Sequence, residues 1–105
     1  MAIERKRIIN RITSVLKEAV PEAVSVLYGS EARGEARFDS DIDLLVVLPD
    51  EGESFAKRKI AVFDCLYKIE LEYDVVLSPL VVLKSSWERL KTPFTVNVAN
   101  EGILL

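Results

Sequence analysis

There is no histidine in this chain of 105 residues, and only one cysteine, Cys65. The first absence removes Ser-His-Asp and Cys-His nucleophilic sites together with histidine metal sites. The second removes disulfides within the chain and cysteine zinc clusters, and leaves Cys65 to be read as a small apolar core residue. No segment has the length and apolarity of a membrane span, and the N-terminus is too charged for a signal peptide, so the expected location is the cytoplasm. Excess positive charge is lacking too: the formal net charge is -3 and the pI about 5.0. That balance argues against a broad basic face, so no stable nucleic-acid binding is expected. Internal repeats, linkers and low-complexity tracts are missing as well. What remains, 50% hydrophobic and 30% charged, suits one domain over residues 1–105 with a single modest core. Any acid–base or metal chemistry has to come from carboxylates.

The chemistry concentrates between Tyr28 and Leu48, YGSEARGEARFDSDIDLLVVL. The apolar run Ile42 to Leu48 is too short for most helices, and its Leu/Val content suits a central strand covered on both faces. Side chains alternate along a strand, so Asp41 and Asp43 project from one face at its start, about 7 Å apart along the backbone. Two ionised carboxylates beside a core repel each other unless a positive charge lies between them, and a hard divalent cation supplies it. Upstream, Val24 to Tyr28 is a second β-rich run that stops at Gly29-Ser30. Glycine lets a ligand approach the backbone, and the serine adds a hydroxyl and an amide, a combination suited to phosphate. The polar segment Glu31 to Ser40, with Arg33, Gly34 and Arg37, is long enough to return the chain. The two strands are then antiparallel neighbours, with Gly29-Ser30 facing Asp41 and Asp43.

Two commoner motifs fail on this stretch. Gly29 and Gly34 have Walker A spacing, but Glu35 stands where the lysine belongs. Asp39, Asp41 and Asp43 mimic the first ligands of an EF-hand, yet Leu44 occupies the glycine position. By itself, Asp-x-Asp also fits a solvated strand entrance. The full pattern, Gly-Ser followed by Asp-x-Asp leading into an apolar strand, resembles the nucleotidyltransferase superfamily that includes DNA polymerase β. GSEARGEARFDSDIDLLVV looks like the minimal nucleotidyltransferase (MNT) domains, and the resemblance spans nearly the whole chain. It implies an α/β fold: a small mixed β-sheet of three to four strands with flanking helices.

Around this stretch, Ile8, Ile12, Val15, Leu16 and Ala19 fall at helical spacing over residues 3–20, with Arg5, Lys6, Arg7, Arg11 and Lys17 on solvated faces and Pro21 as the stop. Pro49 to Gly52 closes the central strand as a turn. Ala56, Ile60, Phe63 and Tyr67 predict an amphipathic helix from Glu53 to about Glu70, with Lys57, Arg58 and Lys59 on its polar face. A third strand is expected at Tyr73 to Ser78, parallel to the central one through a right-handed crossover. Asp74 would then begin its strand beside Asp41 and Asp43, with Glu72 as a rival on the same face, and the family pattern likewise expects a third acidic residue there. Pro79 interrupts, and Leu80 to Leu83 continue as an edge segment. Ser85-x-x-Glu88 reads as a capping box opening a short helix through Trp87, itself a core or interface anchor. Thr92-Pro93 would start a last helix ending at Gly102. Phe94, Val96 and Val98 alternate like a strand instead; similarity to the family favours the helix.

The resemblance implies two Mg²⁺ ions held by Asp41, Asp43 and Asp74, with these three as the catalytic residues and a nucleoside triphosphate, ATP, as substrate. Gly29, Ser30, Arg33 and Ser40 would bind the nucleotide, with Arg37 a further cation for the leaving pyrophosphate. MNT domains of this size are typically antitoxins of HEPN-domain ribonucleases and transfer AMP from ATP to a toxin tyrosine. A protein adenylyltransferase antitoxin acting in a homo- or hetero-oligomer is therefore expected. Two other readings remain: a non-catalytic antitoxin or regulatory module whose acidic crevice binds a basic partner, and a subunit of a small-molecule, aminoglycoside-type nucleotidyltransferase whose partner supplies the substrate domain.

Overall fold

The structure, a computed structural model, describes residues 2–37 and 39–105, with side chains from residue 4 onward apart from residue 38. Helix α1 (Ala2–Ala19) buries Ile8, Ile12 and Leu16, one residue per turn, and Val20 closes the stripe just before Pro21. Strands β1 (Val24–Tyr28) and β2 (Ile42–Leu48) follow, then α2 (Phe55–Tyr73), β3 (Leu77–Leu83), α3 (Lys84–Arg89), α4 (Pro93–Glu101) and β4 (Ile103–Leu104). The sheet order is β3-β2-β1-β4, with β1 antiparallel to both β2 and β4 and β3 parallel to β2. This is the expected mixed sheet, and β2 lies inside it. Every residue of β2 except Asp43 and Val47 is buried, so the strand anchors the core. Each large apolar side chain removed from water there contributes about 1.5–3 kcal/mol. No helix among the described residues is long and apolar enough to cross a membrane.

Helix α2 departs from the expectation. Its buried face is Arg58, Val62, Leu66 and Ile69, whereas Ile60, Phe63 and Tyr67 are exposed. The helix carries two apolar stripes, and the aliphatic one packs on α1 and the sheet. Arg58, expected on the polar face, lies one turn before Val62 on the buried face, ion-paired to Glu22 at 3.9 Å. Lys59 instead lies near the rings of Phe55 and Phe63. Cys65 is half-buried against the core, and burial pushes its thiol pKa up.

The helix also runs past Glu70. Leu66, Ile69 and Tyr73 keep helical spacing, so α2 ends at Tyr73 and Asp74 is its left-handed C-cap, with φ 55° and ψ 51°. Aspartate is among the few residues that visit this conformation readily. The third strand therefore begins at Leu77 rather than Tyr73 and continues through Pro79 without interruption. β3 is an edge strand, where a residue lacking an N–H is tolerated. The Leu77 N–H is capped by Glu70 Oε2 at 2.9 Å.

The expected capping box at Ser85 does not form. The N-cap of α3 is Leu83 without a side-chain cap, which puts Ser85 inside the first turn, where its N–H donates to Asp50 Oδ1 at 3.0 Å. At α4 the helix prevails over the alternating strand pattern: Thr92 and Thr95 form a reciprocal capping box, Pro93 opens the helix and Gly102 caps it. Gly102 is needed for space, since a Cβ there would come within 2.6 Å of Val26 Cγ1. α4 packs over Tyr28, with Phe94 edge-on to Tyr28 at 5.5 Å and to half-buried Trp87 at 6.3 Å.

Candidate active site

The antiparallel register sets Tyr28 opposite Asp43, so the chain leaves β1 at Gly29 beside that carboxylate. Gly29 has φ +76°, and a Cβ built on it would fall onto Asp43 Oδ2. Glycine is required there on both counts. The turn is closed by bonds from Arg33 N to Gly29 O at 3.1 Å and from Glu35 N to Ser30 O at 2.9 Å, and Gly34 exits it at φ +73°. Thus the bend at Gly29 lies directly against Asp43.

Arg5 holds the loop from below. Its Nε donates to Glu31 Oε1 at 2.6 Å and its Nη2 to Ser40 O at 3.0 Å, tying both ends of the connection to α1. Arg5 is only 6% exposed, which corrects its reading as part of a solvated cluster. The signal was present: Arg5 lies on the same helical stripe as Ile8 and Ile12. Ser40, assigned to the nucleotide by resemblance, accepts the Arg37 N–H through its hydroxyl at 2.9 Å and so shapes the loop.

Asp43 is half-buried, and its carboxyl is pushed above the usual range, first by desolvation, then by the charge of Asp41, with Arg33 opposing. Burial, and then Asp43, raise the Tyr28 phenol as well. Arg33 is near enough to act on Asp43 but is itself held by Glu35 Oε1 at 2.7 Å and Glu101 Oε2 at 3.2 Å. Sequence reasoning missed both counter-ions; Glu101 is distant in sequence and carries no local signal.

Asp74 is the main correction. At the exposed C-cap of α2, three residues before β3 begins, it does not enter the strand, and the β3 residue in register with Asp43 is Ser78. Glu72 belongs to α2 and pairs with Arg11 at 3.9 Å, so the rival is not in the strand either. Among the described residues no group of three or more histidine, cysteine, aspartate or glutamate side chains is arranged to hold a metal. Asp41, immediately before β2, and Asp43, its second residue, remain. They fit one Mg²⁺, which is commonly held by one or two carboxylates with substrate phosphates completing its shell. Burial, and then the charge of Asp41, push Asp43 up, and such an ion would offset both.

The nucleotidyltransferase domain family model matches residues 9–104. A Methanocaldococcus jannaschii protein, provisionally named a protein adenylyltransferase, is 32% identical over 92 residues, 88% of this chain and 85% of its own length. A solved structure provisionally described as a minimal nucleotidyltransferase is 26% identical, with a TM-score of 0.64 over 95% of this chain and 94% of that one. A toxin–antitoxin crystal structure with AMP-PNP shares the fold at a TM-score of 0.63 and 21% identity, covering 90% of this chain and 69% of that one. Gly29-Ser30 turned against Asp43 at the head of a central strand, together with these matches, makes the chain a nucleotidyltransferase, a member of the nucleotidyltransferase domain family.

Proposed function

We propose that this nucleotidyltransferase transfers AMP from ATP to a tyrosine of a HEPN-type toxin, acting as its antitoxin. The observation that carries the reading is the turn at Gly29, so close to Asp43 that a Cβ there would fall onto its carboxylate, with Asp41 just before the same strand. A triphosphate lying along the Gly29–Gly34 turn would bring its α-phosphate to those two acids. Support for the substrate and partner comes from the relative named a protein adenylyltransferase and from the fold shared with a toxin–antitoxin structure holding AMP-PNP.

Asp41 and Asp43 would hold Mg²⁺ with the phosphates, and the ion would supply positive charge against the α-phosphate and the departing pyrophosphate. Ser30 would donate its hydroxyl and amide to the phosphate tail. Arg33 would exchange Glu35 for phosphate oxygens at its Nε while its Nη1 keeps Glu101, gaining charge-assisted bonds as negative charge builds on the leaving group. The acceptor phenol releases its proton to water as its oxygen bonds to the α-phosphorus, the bond to the bridging oxygen breaks, and pyrophosphate leaves. A phenol suits this site, because its ordinary pKa, about 10, lets it lose its proton far more readily than an aliphatic alcohol.

Incubating the chain with ATP, Mg²⁺ and a cognate HEPN protein should add the mass of AMP to one tyrosine of that protein, and Asp43→Asn should abolish the addition. A toxin that is inhibited yet unmodified would instead make the chain an antitoxin that works by binding.

A further inference from the structure

Beside the carboxylates, a cavity of about 230 Å³ opens between α4 and the Gly29 turn, lined by Tyr28, Gly29, Arg33, Phe94, Asn97 and Glu101 among others. Its position follows from two elements already described. Tyr28 pairs with Asp43 in register and its ring lies edge-on to Phe94, so it lines the cavity from the strand end that carries Asp43. Arg33, on the turn, bonds Glu101 on α4 at 3.2 Å and bridges the rim. Phe94, Asn97 and Glu101 are spaced three and four residues apart and share one face of the helix. Asn97 is exposed, and its amide makes no hydrogen bond among the described residues.

We infer that this cavity receives the base of the nucleotide, and that Asn97 reads an adenine there. The inference rests on the nucleotidyltransferase reading and adds the residue that sets base preference. The volume lies below the roughly 300 Å³ at which pockets begin to hold drug-sized ligands, so it suits one end of a nucleotide rather than the whole. Aromatic edges on one side and a free polar group on the other are what a flat, hydrogen-bonding ring requires. A carboxamide presents one donor and one acceptor. That pair matches adenine, whose N6 donates and N7 accepts, and mismatches guanine, whose N7 and O6 both accept. Glu101 contributes by keeping α4 against the turn through Arg33, so that the cavity is formed beside the phosphate-binding backbone.

Calorimetry on the full chain with Mg²⁺ tests this, comparing ATP, GTP and inorganic tripolyphosphate on the native protein and on Asn97→Ala. Alanine is a good helix former at an exposed position, so the variant should fold. The native chain is expected to prefer ATP to GTP. Asn97→Ala should weaken ATP by roughly tenfold, erase the preference and leave tripolyphosphate unchanged. If Asn97→Ala binds ATP and GTP as the native chain does, with tripolyphosphate binding intact, the base lies elsewhere: the inference falls and the enzymatic reading stands. If the native chain binds neither ATP nor tripolyphosphate, both fall together.

Discussion

Asp43 and Asp50 stand toward opposite ends of the same strand and are treated in opposite ways. Asp50, past the end of β2, is exposed, accepts the Ser85 N–H at 3.0 Å and lies near Arg89 and Lys84. Hydrogen bonds from Ser85 are the chief cause holding its carboxyl below the usual range. Asp43, at the start of β2, is half-buried beside a second acid and is pushed the other way. One end of the strand uses its carboxylate to fix a loop to a helix. The other end keeps a carboxylate that burial and a neighbouring acid push up, which is the arrangement expected where a ligand rather than the protein supplies the balancing charge.

The comparison can be broken most directly at Asp43. Asp43→Asn should lower nucleotidyl transfer by about 10²–10³-fold or more, measured as acceptor modification, because it removes charge aimed at the reacting phosphate. The loop that frames it should prove the next most sensitive. Arg5→Met would leave Glu31 without its buried partner and is expected to cost about 3–5 kcal/mol in denaturant unfolding. Gly29→Ala should cost about 1–2 kcal/mol for the left-handed backbone and should also impair transfer, since its methyl would displace the Asp43 carboxylate.

The smallest effect is also the sharpest contrast, because the two acids should change stability with opposite sign. Asp50 has a lowered pKa in the fold, so its contribution is present above the unfolded value and is lost as pH falls through the folded one. Asp50→Asn should therefore lower Tm at neutral pH, with the difference vanishing in acid. Asp43 has a raised pKa, so its ionisation disfavours the fold as pH rises from the unfolded value through the folded one. Asp43→Asn should raise Tm at neutral pH, with the gain disappearing in acid. Thermal melts across that range read both; a Tm loss for Asp43→Asn at neutral pH would erase the contrast.

Much of the fold was legible because periodicity and turn chemistry agreed. The Ile8-Ile12-Leu16 stripe, the antiparallel pair joined through Gly29, the parallel third strand and the Thr92 cap are all local patterns with a physical cause. The end of α2 was not legible, since Tyr-Asp-Val-Val reads as a strand by β propensity, while Leu66, Ile69 and Tyr73 carry the helix three residues further. That shift moves Asp74 from the head of the third strand to the C-cap of α2. The face of α2 was misread because two apolar stripes compete, and only the tertiary packing decides between them. Likewise Ser85 lies inside the first turn of α3, with its N–H on Asp50, a partner 35 residues away. At the site, Gly29 and Asp43 were visible in the motif, whereas the Arg33–Glu101 bridge spans 68 residues and depends on where α4 docks.

The central claim is that Asp41 and Asp43 bind a metal-bound triphosphate against the Gly29–Ser30 bend. Titrating ATP into the native chain and into Asp43→Asn, with and without Mg²⁺, tests it most directly. The account predicts binding that needs Mg²⁺ and is lost in the variant. ATP bound equally well without Mg²⁺, and undiminished by Asp43→Asn, would contradict it.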